Sequence, residues 1–164
     1  EKDKYGTDPV PVGKPEPVEP DKSNVDTSKK LHCTISIDCA TILNNLADLD
    51  PAKLDVLPTD GVILNAVTVE FSEGESVFDV LQRVCRENNI HIEATFTPGY
   101  NSAYVEGIHN LYEFDCGELS GWMYSVNGWF PNYGCSRYAL QDGDVIRWRY
   151  TCDLGADVGG SMVA

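Results

Sequence analysis

The chain has 164 residues, with 26 acidic against 12 basic side chains, a net charge of −14 and a pI near 4.4. A field of that sign repels phosphate backbones and anionic lipid, so nucleic acid and membrane surfaces are disfavoured as partners. No apolar run approaches the ~20 residues that cross a bilayer, so membrane insertion is not expected, and the length suits one well-filled domain with a tail.

Residues 1–30 are polar and carry Pro9, Pro11, Pro15, Pro17 and Pro20, five of the nine prolines. Such a segment buries too little to offset its ordering entropy, so an extended Pro-rich linker is expected, through which a larger parent protein or an anchor could hold the domain. From Leu31 the pattern changes. Leu31, Cys33, Ile35, Ile37 and Cys39 alternate with polar residues and predict a strand with one apolar face. Ile42, Leu43, Leu46 and Leu49 sit at helical spacing and predict a short helix within Thr41 to Asp50, ahead of a loop broken by Pro51 and Pro58. Val67, Val69 and Phe71 predict a second strand.

Ser76 with Asp79 forms a variant of the capping box, opening a helix that runs to about Asn88-Asn89. Val77, Val80, Leu81, Val84 and Cys85 place its stripe toward the core. Ile92, Ala94 and Phe96 alternate as a strand closed by Pro98-Gly99. Tyr100 to Leu119 has no sustained period and is expected to hold turns and a short strand near Leu111 to Phe114. Trp122, Tyr124 and Val126 then alternate up to Asn127-Gly128, the dipeptide of a type I′ hairpin turn. Asp142-Gly143 turns the chain into a last strand, with Ile146, Trp148, Tyr150 and Cys152 on one face and Val145, Arg147, Arg149 and Thr151 on the other.

These elements predict an α+β domain over residues 31–157, a mixed sheet covered by one main helix, followed by a flexible tail at 158–164. The six cysteines include no C-x-x-C pair, which suits disulfides in an oxidising compartment and predicts secretion to the cell surface or beyond.

The pairing of EGESVFDVLQRV with LQDGDVIRWRY resembles the β-grasp fold. With SGWMYSVNG added, the chain is similar to the transcobalamin-like C-terminal domain family: the small domain of vitamin B12 carriers, and many bacterial cell-surface domains of unassigned function. The resemblance covers roughly Leu31 to Leu154. It implies that the last strand lies in mid-sheet, parallel to the first. In the vitamin carriers this domain is one half of a clamp, and the other half, an α-helical barrel, has no counterpart in these 164 residues. The β-grasp order also implies one bridge from the trio Cys39, Cys85 and Cys152, and Cys116 with Cys135, which flank the Trp122 hairpin, is the working second pair.

No nucleophile elbow, phosphate-cradling glycine loop or H-E-x-x-H is present, and His91 and His109 stand in no nucleophile signature, so no enzyme activity and no cofactor are expected. Asp142, Asp144, Asp153 and Asp157 gather near the end without the EF-hand pattern. They predict turns before a metal site, with a metal-binding domain kept as an alternative. Trp129, Phe130 and Tyr133 follow the turn in a loop broken by Pro131 and Gly134, where aromatics are either packed or used. The ligand-binding candidates are therefore Trp122, Tyr124, Asn127, Trp129, Phe130, Asn132 and Tyr133. The expected function is a non-catalytic binding domain for a small molecule, corrinoid-like ligands included, or for a cell-surface protein partner. A structural or adhesion module is the alternative.

Overall fold

The computed structural model describes residues 1–160. Strand β1 (Asp26–Asp38) starts five residues earlier than its apolar alternation, and Cys33, Ile35 and Ile37 fill its buried face. It pairs antiparallel with β2 (Val62–Glu73), Cys33 opposite Val69, and its other edge runs parallel to β7 (Val145–Thr151), Ile35 beside Ile146. Strand β6 (Gly121–Val126) completes this sheet antiparallel to β7, in the order β2-β1-β7-β6. The parallel contact between first and last strands needs a long crossover, and the crossing chain includes α1 (Val77–Glu87).

Helix α1 forms because both of its ends are satisfied and one stripe is apolar. The Ser76 hydroxyl accepts from the Asp79 amide while the Asp79 carboxylate accepts from the Ser76 amide, and the Asn88 amide closes the last turn on Val84. Val77, Val80, Leu81, Val84 and Cys85 are all buried in the same core as Ile35, Ile37, Ile146 and Trp148.

Four expectations are corrected. Strands β3 (Ile92–Thr97), β4 (Ser102–Ile108) and β5 (Leu111–Tyr112) make a second, three-stranded sheet instead of extending the first, so the domain is a mixed α+β structure of two sheets. Strand β4 is hidden in the sequence by Gly107, where the Tyr112 ring packs so close that a side chain would collide with it. The helix expected within Thr41 to Asp50 is instead the 3-10 turns Ala40–Asn44 and Leu46–Asp48, interrupted at Asn45, whose side chain turns back to the Thr41 carbonyl. Ile42 and Leu49 still reach the core from those turns. The Asn127-Gly128 turn closes only one bridge, Val126 with Trp129, and β6 finds its ladder partner in β7 instead.

The fourth correction concerns the cysteines, which are all free thiols. Cys116 donates to the Asn45 carbonyl and lies against Cys152, whereas Cys135 faces the Ala103 carbonyl, so the pair Cys116 and Cys135 does not form. Cys152 donates to the Thr41 hydroxyl and Cys85 is buried on α1, so the trio forms no bridge either. The disulfide argument for an oxidising compartment falls with them. At the end of the chain Val158 and Gly160 are buried, and 161–164, the rest of the expected flexible tail, lie outside the described residues. No helix is long and apolar enough to cross a membrane among the described residues.

Candidate functional site

The aromatic loop after β6 is held from within. The Tyr124 hydroxyl donates to the Tyr133 carbonyl at 2.7 Å, the Tyr133 and Tyr138 rings stack at 6.0 Å, and Trp129 meets Tyr133 edge-on at 6.1 Å. Gly134 lets the loop approach β4, since a side chain there would run into Ser102. The 3-10 turn Cys135–Arg137 then puts Arg137 into the middle of this surface.

Residues 1–25 lie across that loop as a strap. Asp3 folds the start of it, its carboxylate accepting from the Tyr5 and Thr7 amides at 2.9 Å each. Arg137 is 1% exposed, and every hydrogen-bond partner of its guanidinium lies on the strap. Nη2 donates to Asp3 at 2.9 Å and to Glu19 at 3.1 Å, Nε to Glu19 at 3.0 Å and Nη1 to the Thr7 hydroxyl at 2.6 Å. The guanidinium also lies over the Tyr5 ring at 5.2 Å and the Tyr133 ring at 5.9 Å. Further along, Tyr133 donates to the Pro15 carbonyl, Asn132 to the Asp8 carbonyl, and Lys14 sits over Trp129.

The electrostatics agree with this clamp. Burial works against the Arg137 charge, but Glu19 and Asp3 more than offset it, so its pKa is raised. The Thr7 amide, against the pull of burial and with help from Tyr5 and Arg137, holds the Asp3 carboxyl below its ordinary range. Burial pushes Tyr138 up to about 12 and Tyr133 higher still, so both remain neutral hydroxyls.

Beside the strap opens a cleft of about 580 Å³. Phe78 and Gln82 of α1, Phe96 of β3, Ala103 of β4, Ala139, and Val18 with Val25 of the strap make its walls. Phe96 is 53% exposed on its rim. Ser76 and Asp79 also line it, but their polar atoms are engaged in the helix cap.

The seven residues expected to bind a ligand thus have different surroundings. Trp122 is buried, with its indole N–H donating to the Leu111 carbonyl, and meets Tyr150 edge-on. Tyr124 packs between Tyr138 and Trp148. Asn127 is exposed, yet both ends of its amide are engaged at the entry to β7: Nδ2 donates to Asp144, and Oδ1 accepts from the Val145 amide. Trp129, Asn132 and Tyr133 face the strap, and Phe130 stands against Gly160. Asp142, Asp144 and Asp157 near the end are occupied in the same way, whereas the Asp153 carboxylate accepts no hydrogen bond among the described residues. Asp142 accepts from the His32 amide, Asp144 from Asn127 and the Gln141 amide, and Asp157 from Thr151 and the Cys152 amide. Sequence reasoning missed Arg137 and the cleft. An arginine flanked by two tyrosines within five residues was the one available signal.

Residues 74–152 match the family model described as a domain of unknown function, DUF4430; the match leaves out the strap, β1 and β2. No curated protein matches the chain. Among solved structures, haptocorrin in complex with Cbi is similar with a TM-score of 0.55 and 14% identity, over 80% of this chain and 27% of that one. A Ruminococcus gnavus ATCC 29149 protein described as a candidate metal binder has a TM-score of 0.43 and 14% identity, over 74% of this chain and 96% of that one. At this identity the haptocorrin likeness is one of fold.

Proposed function

We propose that this chain is a non-catalytic binding domain of β-grasp type, displayed at the cell surface or outside the cell, that takes a small ligand in the cleft between α1, β3 and the strap. The cleft carries the reading. Its 580 Å³ falls among the ~300–1,000 Å³ of small-ligand sites, and its walls combine apolar side chains such as Phe78 and Phe96 with polar ones such as Gln82 and Ser136. The likeness in fold to haptocorrin, solved with Cbi, puts corrinoids among the ligands to try first. The β-grasp assignment is supported by β1 and β7 lying side by side and parallel, with α1 in the crossover.

Calorimetric titration with cobalamin, other corrinoids and cell-wall fragments tests the reading, with Phe96→Ala as the control. Phe96 is exposed, so its truncation should leave folding intact while weakening binding by more than ~1 kcal/mol. Binding that ignores both Phe96→Ala and Gln82→Ala would place the ligand elsewhere, and no binding at all would remove the reading. Accessibility of the protein to added protease on intact cells tests its placement.

The alternative, an adhesion module that meets a protein, is favoured by a separate observation. Trp129, Asn132 and Tyr133 already contact a polypeptide segment, the strap.

A further inference from the structure

Arg137 has no carboxylate partner among the described residues other than Asp3 and Glu19, both on the strap. Without the strap, a guanidinium that is now 1% exposed would lose every side-chain acceptor it has. A segment that covers this guanidinium without bringing carboxylates would leave a buried, unpaired charge, so the groove favours an acidic occupant over a neutral one. The groove also reads backbone. Asn132 and Tyr133 donate to the carbonyls of Asp8 and Pro15, and the Val18 amide donates to the Arg137 carbonyl at 2.8 Å. Proline-rich segments suit such recognition, because they offer carbonyls, are stiff before binding and pack on aromatic rings.

We propose that the Arg137 groove is a docking site for an acidic, proline-punctuated peptide segment, that residues 3–19 are its resident occupant, and that the same segment of a second copy of this chain replaces them when two copies meet. The strap belongs to neither sheet, since β1 begins only at Asp26. Its release therefore breaks no strand ladder. It reaches β1 through the Pro20–Lys22 turn and the exposed residues Asn24 and Val25, which can redirect it. Residues 3–7 are already folded by the Asp3 carboxylate on the Tyr5 and Thr7 amides, so the segment carries its own shape into a second molecule. Reciprocal exchange of identical segments gives a closed two-fold pair. The tether gives the resident strap an effective concentration of about a millimolar, so exchange is expected where copies are crowded. This inference rests on the aromatic loop and Arg137, and it stands whether or not the neighbouring cleft takes a small ligand.

The test uses the full chain and a fluorescein-labelled synthetic peptide of residues 1–22, followed by anisotropy. The full-length Asp3→Asn, Glu19→Gln variant, whose own strap is weakened, should bind the peptide at least tenfold more tightly than the wild-type chain. A peptide carrying the same two changes should bind neither protein, an arm that leaves the protein unaltered. Equal affinity of the two peptides, or of the two chains for the wild-type peptide, overturns the docking site. For exchange, unlabelled and 15N-labelled chains carrying p-benzoylphenylalanine in place of Tyr5 are mixed and irradiated. Crosslinks from residue 5 to residues 133–138 that join the two isotopes, and that increase with protein concentration, are expected. Crosslinks confined to single chains at every concentration overturn the exchange, and this arm does not depend on the folding of the double variant.

Discussion

The guanidinium of Arg137 lies 2.9 Å from the carboxylate of Asp3, 134 positions earlier in the chain. Glu19 closes the other edge of the same fork with contacts at 3.0 and 3.1 Å. A proline-rich tail is thereby fixed to the domain by charge and by hydrogen bonds to its carbonyls, with Val10 adding apolar contact to the core. Glu19→Ala leaves the buried guanidinium without its two-pronged partner, and removing one side of a buried pair costs on the order of 3 kcal/mol. Urea unfolding should show this as a lower midpoint. A shift worth less than about 0.5 kcal/mol would mean that water replaces Glu19 without penalty.

That contact shows where sequence reading stops. Helix α1 was legible because its cap, its stripe and its end are local, within a dozen residues, and the same is true of the alternation in β1 and β7. The strap was not, because composition measures what a segment can bury and not which single buried cation waits for its carboxylates. By that measure, deleting residues 1–28 should leave the melting temperature within a few degrees. The structure gives the opposite expectation, since the deletion removes Asp3, Thr7 and Glu19 from Arg137 and the first residues of β1 from the sheet. The aromatic loop was legible only as rings that are either packed or used, and the contacts it makes are with the chain's own tail.

Acid should loosen the strap. The Asp3 carboxyl is held below its ordinary 3.8, first by the Thr7 amide and also by Tyr5 and Arg137. A carboxyl depressed in the folded state adds stability that is present above 3.8 and is lost as pH falls through the lower folded value. The Asn132 side-chain amide, which donates to the Asp8 carbonyl, reports on docking by NMR. Its resonances should hold steady from pH 7 to near 4 and then move toward free-amide positions, and in Asp3→Asn they should lose much of that transition.

The thiols should be free yet slow. Burial pushes Cys39, Cys85, Cys116 and Cys135 up to about 12 and Cys33 to about 11, so at neutral pH they are protonated and poor nucleophiles. Iodoacetamide should label the native protein slowly and all six cysteines after unfolding without reductant. Unfolded protein labelled at two fewer sites would reveal a bridge. The same shifts set an alkaline limit. Unfolded thiols ionise near 9.0 while the folded ones keep their protons, so the stability they contribute is complete below 9.0 and falls as pH rises toward 12. Replacing Cys85 by Ala should flatten part of that decline at some cost in packing.

Asn127 separates a ligand contact from a structural one. Its backbone is left-handed at φ 53°, its amide donates to the Val145 carbonyl, its Nδ2 donates to Asp144 at 2.9 Å, and its Oδ1 accepts from the Val145 amide at 2.8 Å. Asp144 is itself buried and also receives the Gln141 amide, so Asn127 ties the β6 turn to the start of β7. Asn127→Ala loses both side-chain bonds, at about 1 kcal/mol each, and meets the ~1 kcal/mol penalty of a left-handed alanine. A loss of about 2–3 kcal/mol is expected from urea unfolding. Asn127→Gly keeps the backbone comfortable and should lose about 1 kcal/mol less than alanine. Asn132→Ala, which removes only one exposed bond to the strap, should change global stability by less than about 0.5 kcal/mol. If Asn127→Ala instead left stability unchanged, its amide would be free for a ligand after all, and the turn would be held by its backbone alone.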